Sequence, residues 1–300
     1  MNKSDAFSTY NPIINFTFYI GAIALGMFFV HPAYLVSSVI LSFTYLLTIE
    51  GKKGFKTLWS MAILFVLLSA INPLFNTYGE RVLFTYWGGR VYTLEALYYG
   101  MATSGMLISI LVWFRCYNLV MTSDKFMYIF ARFIPSLSLI FTMVLRLVPN
   151  YERKIKQISS ARKCIGMAGE TESKKQLLEN SMTVVSALTS CALEGAVITG
   201  DSMRSRGYGT GNRSSFSIYS FKLKDKLLVC MMIILILAVI ICASYGAMYA
   251  TYTPELYITQ IDSITSILGI VSYILFLSVP TVLNIKEEIL WKVSIKRRFN

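Results

Sequence analysis

Acidic side chains are scarce in this chain: 16 Asp and Glu stand against 28 Lys and Arg over 300 residues, a net charge of +12. Histidine is scarcer still. His31 is the only one, so a histidine-based metal or catalytic cluster is excluded. The five cysteines (Cys116, Cys164, Cys191, Cys230, Cys242) are scattered singly and form no CxxC pair, which argues against a disulfide framework or a zinc site. GxxxxGK[ST] does not occur, and the glycine-rich YGTGNR at 208–213 follows a helical pattern instead of a strand, so nothing reads as a nucleotide cradle. Paired-acid DDxxD, HExxH and nucleophile-elbow motifs are missing as well. No catalytic residue, metal site or cofactor is therefore expected.

What is abundant is apolar sequence. With 55% hydrophobic and only 15% charged residues, the composition is that of a membrane protein, and the basic excess reads as cytoplasmic surface before it reads as nucleic-acid binding. Apolar runs of spanning length, about 20 residues, occur at Ile13–Val30, Tyr34–Thr48, Leu58–Ile71 (extended to Phe75), Leu94–Val120, Leu227–Ala243 and Ile264–Leu283. No small-residue cleavage site follows the first run, which reads as an uncleaved membrane helix. His31-Pro32 reads as a tight hairpin, Glu50–Lys56 as a short basic loop, Asn72–Thr93 as a polar, aromatic-rich link, and Tyr245–Tyr257 as a Tyr-rich link. Arg115, near the end of the fourth run, is placed to snorkel.

Between Thr122 and Lys226 the character changes, for this segment holds 16 of the 28 Lys and Arg. Phe126–Val148 is apolar but carries Arg132, Pro135 and Arg146. A central arginine costs about 2.5–3.5 kcal/mol on insertion scales. Six spans leave only Arg81 and Arg90 in outer loops, so the positive-inside rule places Phe126–Val148 at or below the cytoplasmic interface and both termini in the cytoplasm. The expected fold is an all-α integral membrane protein of about six spans, with a cytoplasmic segment of two to three amphipathic or long helices between the fourth and fifth. Its parts are a four-span membrane domain (1–121), a cytoplasmic coupling domain (122–226), and a two-span part with a basic tail ending Lys296-Arg297-Arg298 (227–300).

Three helical pieces are read in the insert: Phe126–Leu147, ended by Pro149; Asn150–Gly166; and, after a polar link Met167–Ser173, a helix of more than thirty residues from Lys174 with no turn signal until Gly207. The last is rich in small residues, among them Ser186, Ala187, Ser190, Gly195 and Gly200, which admit close helix approach. Gly207 reads as its left-handed C-cap, behind Met203-Arg204-Ser205-Arg206. Arg204 and Arg206 fit two roles: cations placed at a helix C-terminus, favoured there by about 0.3–1 kcal/mol, or side chains that plug into an acidic partner.

The run Leu145-Arg146-Leu147-Val148-Pro149, the following IKQISSARKCIG and above all DSMRSRGYG resemble the transmembrane (T) component of energy-coupling factor transporters, the family that includes the cobalt-transporter permease CbiQ. Members share an Arg-(two apolar)-Pro element and two coupling helices, each ending in an Ala-Arg-Gly-like motif. Here Ser205-Arg206-Gly207, preceded by Arg204, matches the second motif; Cys164-Ile165-Gly166 stands in the first, with Lys163 beside it and no arginine at the central position. The resemblance implies a non-catalytic subunit of a prokaryotic plasma-membrane importer of vitamins or metal ions. It implies as partners two cytoplasmic ABC ATPases, which dock on the helix tips Lys163, Cys164, Ile165, Gly166 and Arg204, Ser205, Arg206, Gly207, and a small membrane S component that binds substrate. Arg146 and Pro149 enter as structural or interface residues. Readings from other classes are an integral-membrane enzyme with its site in the basic segment, and a secondary transporter, which would place ionisable residues inside its spans.

Overall fold

The computed structural model describes residues 6–76, 79, 81–86, 90–166, 174–210, 219, 221–246, 250–252, 257–259 and 263–299. It is overwhelmingly helical, and the chain is a multi-pass membrane protein with, among the described residues, six helices long and apolar enough to cross a bilayer. It divides into two compact units, 1–126 with 219–300, and 127–218.

The first unit opens with the short α1 (Ala6–Thr9) and α2 (Pro12–Phe28). Asn11 caps α2 by accepting from the Ile13 N–H at 3.1 Å, and Pro12 supplies a pre-set φ at the first helical position. The expected hairpin at His31-Pro32 is present: His31 is the N-cap of α3 (Pro32–Glu50) and Pro32 opens it. The basic loop expected after α3 is not a loop. Gly51, at φ 59, is the only residue between Glu50 and Lys52, where α4 (Lys52–Phe75) begins. A left-handed glycine turns the chain within one residue, so the lysines of the "loop" sit on the first turns of α4. The link after α4 holds a two-stranded antiparallel sheet, β1 (Val82–Tyr86) with β2 (Arg90–Thr93), with Phe84 and Tyr92 stacked at 4.7 Å. The all-helical expectation missed this hairpin, and also the smaller pair β3 (Ala250–Thr251) and β4 (Tyr257–Ile258) in the second link. Both are short and too rich in aromatics to show clean alternation.

Thr93 then caps α5 (Leu94–Val120) by accepting from the Ala96 N–H. After the second unit come α9 (Leu223–Ser244) and α10 (Ile264–Phe299), whose 36 residues carry the last span straight into the basic tail. Helices α2, α3, α4, α5, α9 and α10 alternate in direction, as the ties at their ends show: Glu50 to Arg115 at one end with Asn284 to Phe7, and His31 to Thr259 at the other. Their core is aromatic. The Trp113 ring is fully buried, edge-on to Phe18 (5.3 Å) and Tyr19 (6.4 Å) and stacked on Tyr45 (6.1 Å), and its Nε1–H donates to Ser38 Oγ, which also pairs with Ser109 Oγ. Gly21 is needed here, because a Cβ would meet the Phe276 ring at 2.8 Å. Lipid removes the hydrophobic drive between helices, so this interlocking and these hydroxyl pairs hold the bundle.

The bundle has two distinct ends. At one, Arg115 does not simply snorkel: it makes a two-pronged pair with Glu50, Nη2 to Oε1 at 2.8 Å and to Oε2 at 3.1 Å, joining the C-terminal ends of α3 and α5. Lys125 is buried at the same end and donates to Val120 O at 2.8 Å and Ser8 O at 2.6 Å, a cation seated on the negative end of the α5 dipole. Asn284 Oδ1 accepts from the Phe7 N–H there. The opposite end holds His31 and both β-hairpins.

The second unit contains α7 (Pro135–Cys164) and α8 (Lys174–Ser205), with α6 (Ser123–Phe133) leading into it. Here the sequence reading is corrected. The helix break falls at Ile134, not at Pro149: Ile134 has φ −135 and ψ 81, as a residue that precedes a proline is disfavoured in the helical region, and Pro135 opens α7. Pro149 lies inside α7, which runs on to Cys164 with only the one backbone donor missing. The helix of more than thirty residues from Lys174 is present as α8, 32 residues long. The set of six spanning-competent helices also differs from the one read in sequence, since it includes α8 and leaves out α2. At 17 residues α2 is about 26 Å long, at the lower limit of a span. No residue of α8 is buried in the chain.

Candidate functional site

Both helices of the second unit end on a glycine in the left-handed region, Gly166 at φ 74 and Gly207 at φ 75. At α8 the termination is a complete Schellman motif. The Gly207 N–H donates to Arg204 O at 3.0 Å and the Tyr208 N–H reaches back to Met203 O at 3.1 Å. At α7 the Gly166 N–H donates to Lys163 O at 3.1 Å and the Ile165 N–H to Ala161 O at 3.3 Å. These bonds absorb the last carbonyls, so the terminal side chains are not needed as caps. Ser205 is the exception, its hydroxyl donating to Ser202 O at 2.9 Å.

Lys163, Cys164, Ile165 and Gly166 at one tip, and Arg204, Ser205, Arg206 and Gly207 at the other, are all exposed. Among the described residues Lys163, Arg204 and Arg206 have no ion pair or side-chain hydrogen bond. Arg162 is different: its Nη2 donates to Asn180 Oδ1 at 2.7 Å, which ties the end of α7 to the second turn of α8. Of the two cations near the first motif, only Lys163 is thus left to face a partner. The position where the resemblance expects an arginine presents an apolar group, Ile165, 68% exposed.

The Arg162–Asn180 bond also sets the spacing. Asn180 lies 25 residues before Ser205, so at 1.5 Å per residue the α7 tip and the α8 tip are separated by about 38 Å along α8. The two motifs are therefore not brought together into one site; they form two separate points of the same unit. Arg204 and Arg206, two residues apart, project about 160° apart around the helix, so only one of them can face a given surface. Arg146 is exposed on α7, three residues before Pro149.

Sequence reasoning found the two tips but not what shapes their neighbourhood. The Arg162–Asn180 bond joins residues across a link, and the Met167–Ser173 segment lies outside the described residues, as does Arg213 of the glycine-rich tail. Compared with known proteins, the chain matches no protein-family model and no curated sequence.

Proposed function

We propose that this chain is the transmembrane coupling subunit of an energy-coupling-factor importer, carrying nucleotide-driven motion from two ATPase subunits to a substrate-binding membrane component. The observation that supports the reading most directly is the pair of glycine-capped helix tips, exposed, carrying uncommitted cations, and about 38 Å apart along α8. A pair of tips so separated suits two docking surfaces, one per ATPase. A cation on a helix end is well placed to enter an acidic groove, where pairing with a carboxylate is shorter and stronger than a neutral hydrogen bond. Long, stiff helices suit the transmission of force, because packed elements move between discrete arrangements and do not deform smoothly. The direct test is co-purification of the tagged chain from its native membrane: two distinct ATPases are expected with it, and recovery of none would overturn the reading.

In this reading the Glu50–Arg115 end of the bundle, α7 and α8 face the cytoplasm. The apolar composition of α8 makes a different arrangement physically possible, with α8 crossing the bilayer. That arrangement would put Glu194 in the middle of the membrane with no partner among the described residues. Single cysteines decide it, with Cys164, Cys191 and Cys230 replaced. Cysteine at Thr189, midway along α8, is expected to react with an impermeant thiol reagent only after the cells are permeabilised. Cysteine at Tyr257, on the hairpin end, should react in intact cells. A Thr189 site protected in both conditions would mean that α8 spans.

The two tips should also differ in salt sensitivity. With Ile165 where the other tip has Arg206, the α7 tip docks through apolar contact and Lys163 alone, while the α8 tip relies on charge. The Debye length falls from about 10 Å at 0.1 M to about 3 Å at 1 M. Pull-downs over that range are expected to lose one ATPase before the other, and simultaneous loss of both would count against the asymmetry.

A further inference from the structure

The only histidine of the chain is 3% exposed, at the end of the bundle away from the Glu50–Arg115 pair. It holds two elements at once. Nδ1 accepts from the Ala33 N–H at 3.3 Å, capping α3, and Nε2 lies 3.2 Å from Thr259 O in the segment that follows β4. An imidazole that accepts at Nδ1 and faces a carbonyl at Nε2 is the neutral ring with its proton on Nε2. A second tie runs beside it, from the Tyr252 hydroxyl to Val30 O at 2.9 Å. The turn between α2 and α3 is thereby clasped to the β3–β4 hairpin, 222 and 228 residues away in sequence.

We propose that protonation of His31 breaks one of the two ties between the β3–β4 hairpin and the α2–α3 turn, so that this end of the bundle loosens when the ring takes up a proton. The direction follows from the donor inventory. Protonated imidazole is a donor at both nitrogens. Its Nδ1–H would then confront the Ala33 N–H, so the cap is lost. The charge would strengthen the Nε2–H bond to Thr259 O, but a cation buried at the positive end of α3 costs more, so the ring turns toward water and gives up Thr259 O with it.

The surroundings offer the charge little compensation. On α3 the Tyr34 ring meets His31 edge-on at 5.9 Å, and behind it stand Tyr273 of α10 and Cys242 of α9, none of them a carboxylate. Helix α2 has no carboxylate; Glu50 of α3, Asp225 of α9 and Glu287 and Glu288 of α10 belong to the far ends of their helices. Glu95 of α5 is at the near end but accepts from the Arg81 N–H at 3.3 Å. Glu255 and Asp262 lie outside the described residues. Burial holds the Tyr252 hydroxyl above the ordinary phenol range, so that tie persists throughout.

A nitroxide label at Tyr257→Cys, a position 59% exposed on β4, reads the clasp. Cys164, Cys191 and Cys230 are replaced and the buried Cys116 and Cys242 kept. In nanodiscs the mobile fraction of the spectrum is expected to rise at least threefold from pH 8 to pH 5, along a one-proton curve. His31→Asn keeps a side-chain cap for Ala33 but cannot titrate, and should give the same mobile fraction at both pH values. Tyr252→Phe, which removes the second tie, should enlarge the mobile fraction at pH 5. A wild-type spectrum that does not change with pH overturns the proposal. So does a pH step that survives in His31→Asn, since another group would then carry it.

Discussion

Arg206→Ala is expected to insert, fold and melt like the wild type and, on the docking role proposed for it, to lose binding to an ATPase subunit. The Schellman bonds at this tip are all backbone, from Gly207 and Tyr208 to Arg204 and Met203, so truncating the Arg206 side chain removes no cap. What the folded chain loses is a favourable cation near a helix C-terminus, worth about 0.3–1 kcal/mol. What the proposed complex would lose is one partner of a desolvated charge pair, worth about 2–5 kcal/mol of binding. The second effect is larger, so affinity for the ATPase pair should fall by more than tenfold and ATP-dependent uptake with it. Arg204→Ala, projecting from a different side of the helix, should be milder. Affinity pull-down, thermal melting of the isolated subunit and uptake in vesicles separate the two effects. An Arg206→Ala protein that assembles and transports normally would reduce the tip to a well-capped helix end.

Trp113→Ala should do the opposite, lowering stability heavily wherever the protein is studied. The ring is completely buried, touches Phe18, Tyr19 and Tyr45, and donates to Ser38. Removing a large aromatic from a packed core costs about 3–5 kcal/mol, and edge-to-face partners add about 0.5–1.5 kcal/mol per pair. For a chain of this size each kcal/mol lowers the melting temperature by roughly 2–4 °C, so a fall on the order of 10 °C is expected in detergent. Trp59 is the control. It is 73% exposed on α4, towards lipid, and Trp59→Ala should change the melting temperature little. If both variants melted alike, the aromatic cluster would not be the centre of the bundle.

Composition and the periodicity of apolar runs were enough to determine that the chain is a helical membrane protein, where α3, α5 and α9 lie, and that a helix of more than thirty residues from Lys174 stops just before a left-handed Gly207. Those features are local. An apolar run long enough to span, a proline at a first helical turn and a glycine in the left-handed region act through their own few residues, and the residue string carries them. Proline shows where local reading stops. Pro135 and Pro149 look alike in sequence, yet one opens a helix and the other is absorbed within one, because losing a single backbone donor is tolerable where the rest of the helix continues.

Everything joining distant residues was decided by tertiary structure. Arg115 turned to Glu50 when α3 and α5 brought their ends together; Lys125 found the carbonyls of Ser8 and Val120; Arg162 was taken by Asn180, leaving Lys163 to face outward; and His31, bland as a hairpin residue, became the tie to Thr259. A side chain's partner depends on which backbone passes within about 3 Å of it, and no pattern along the chain encodes that distance.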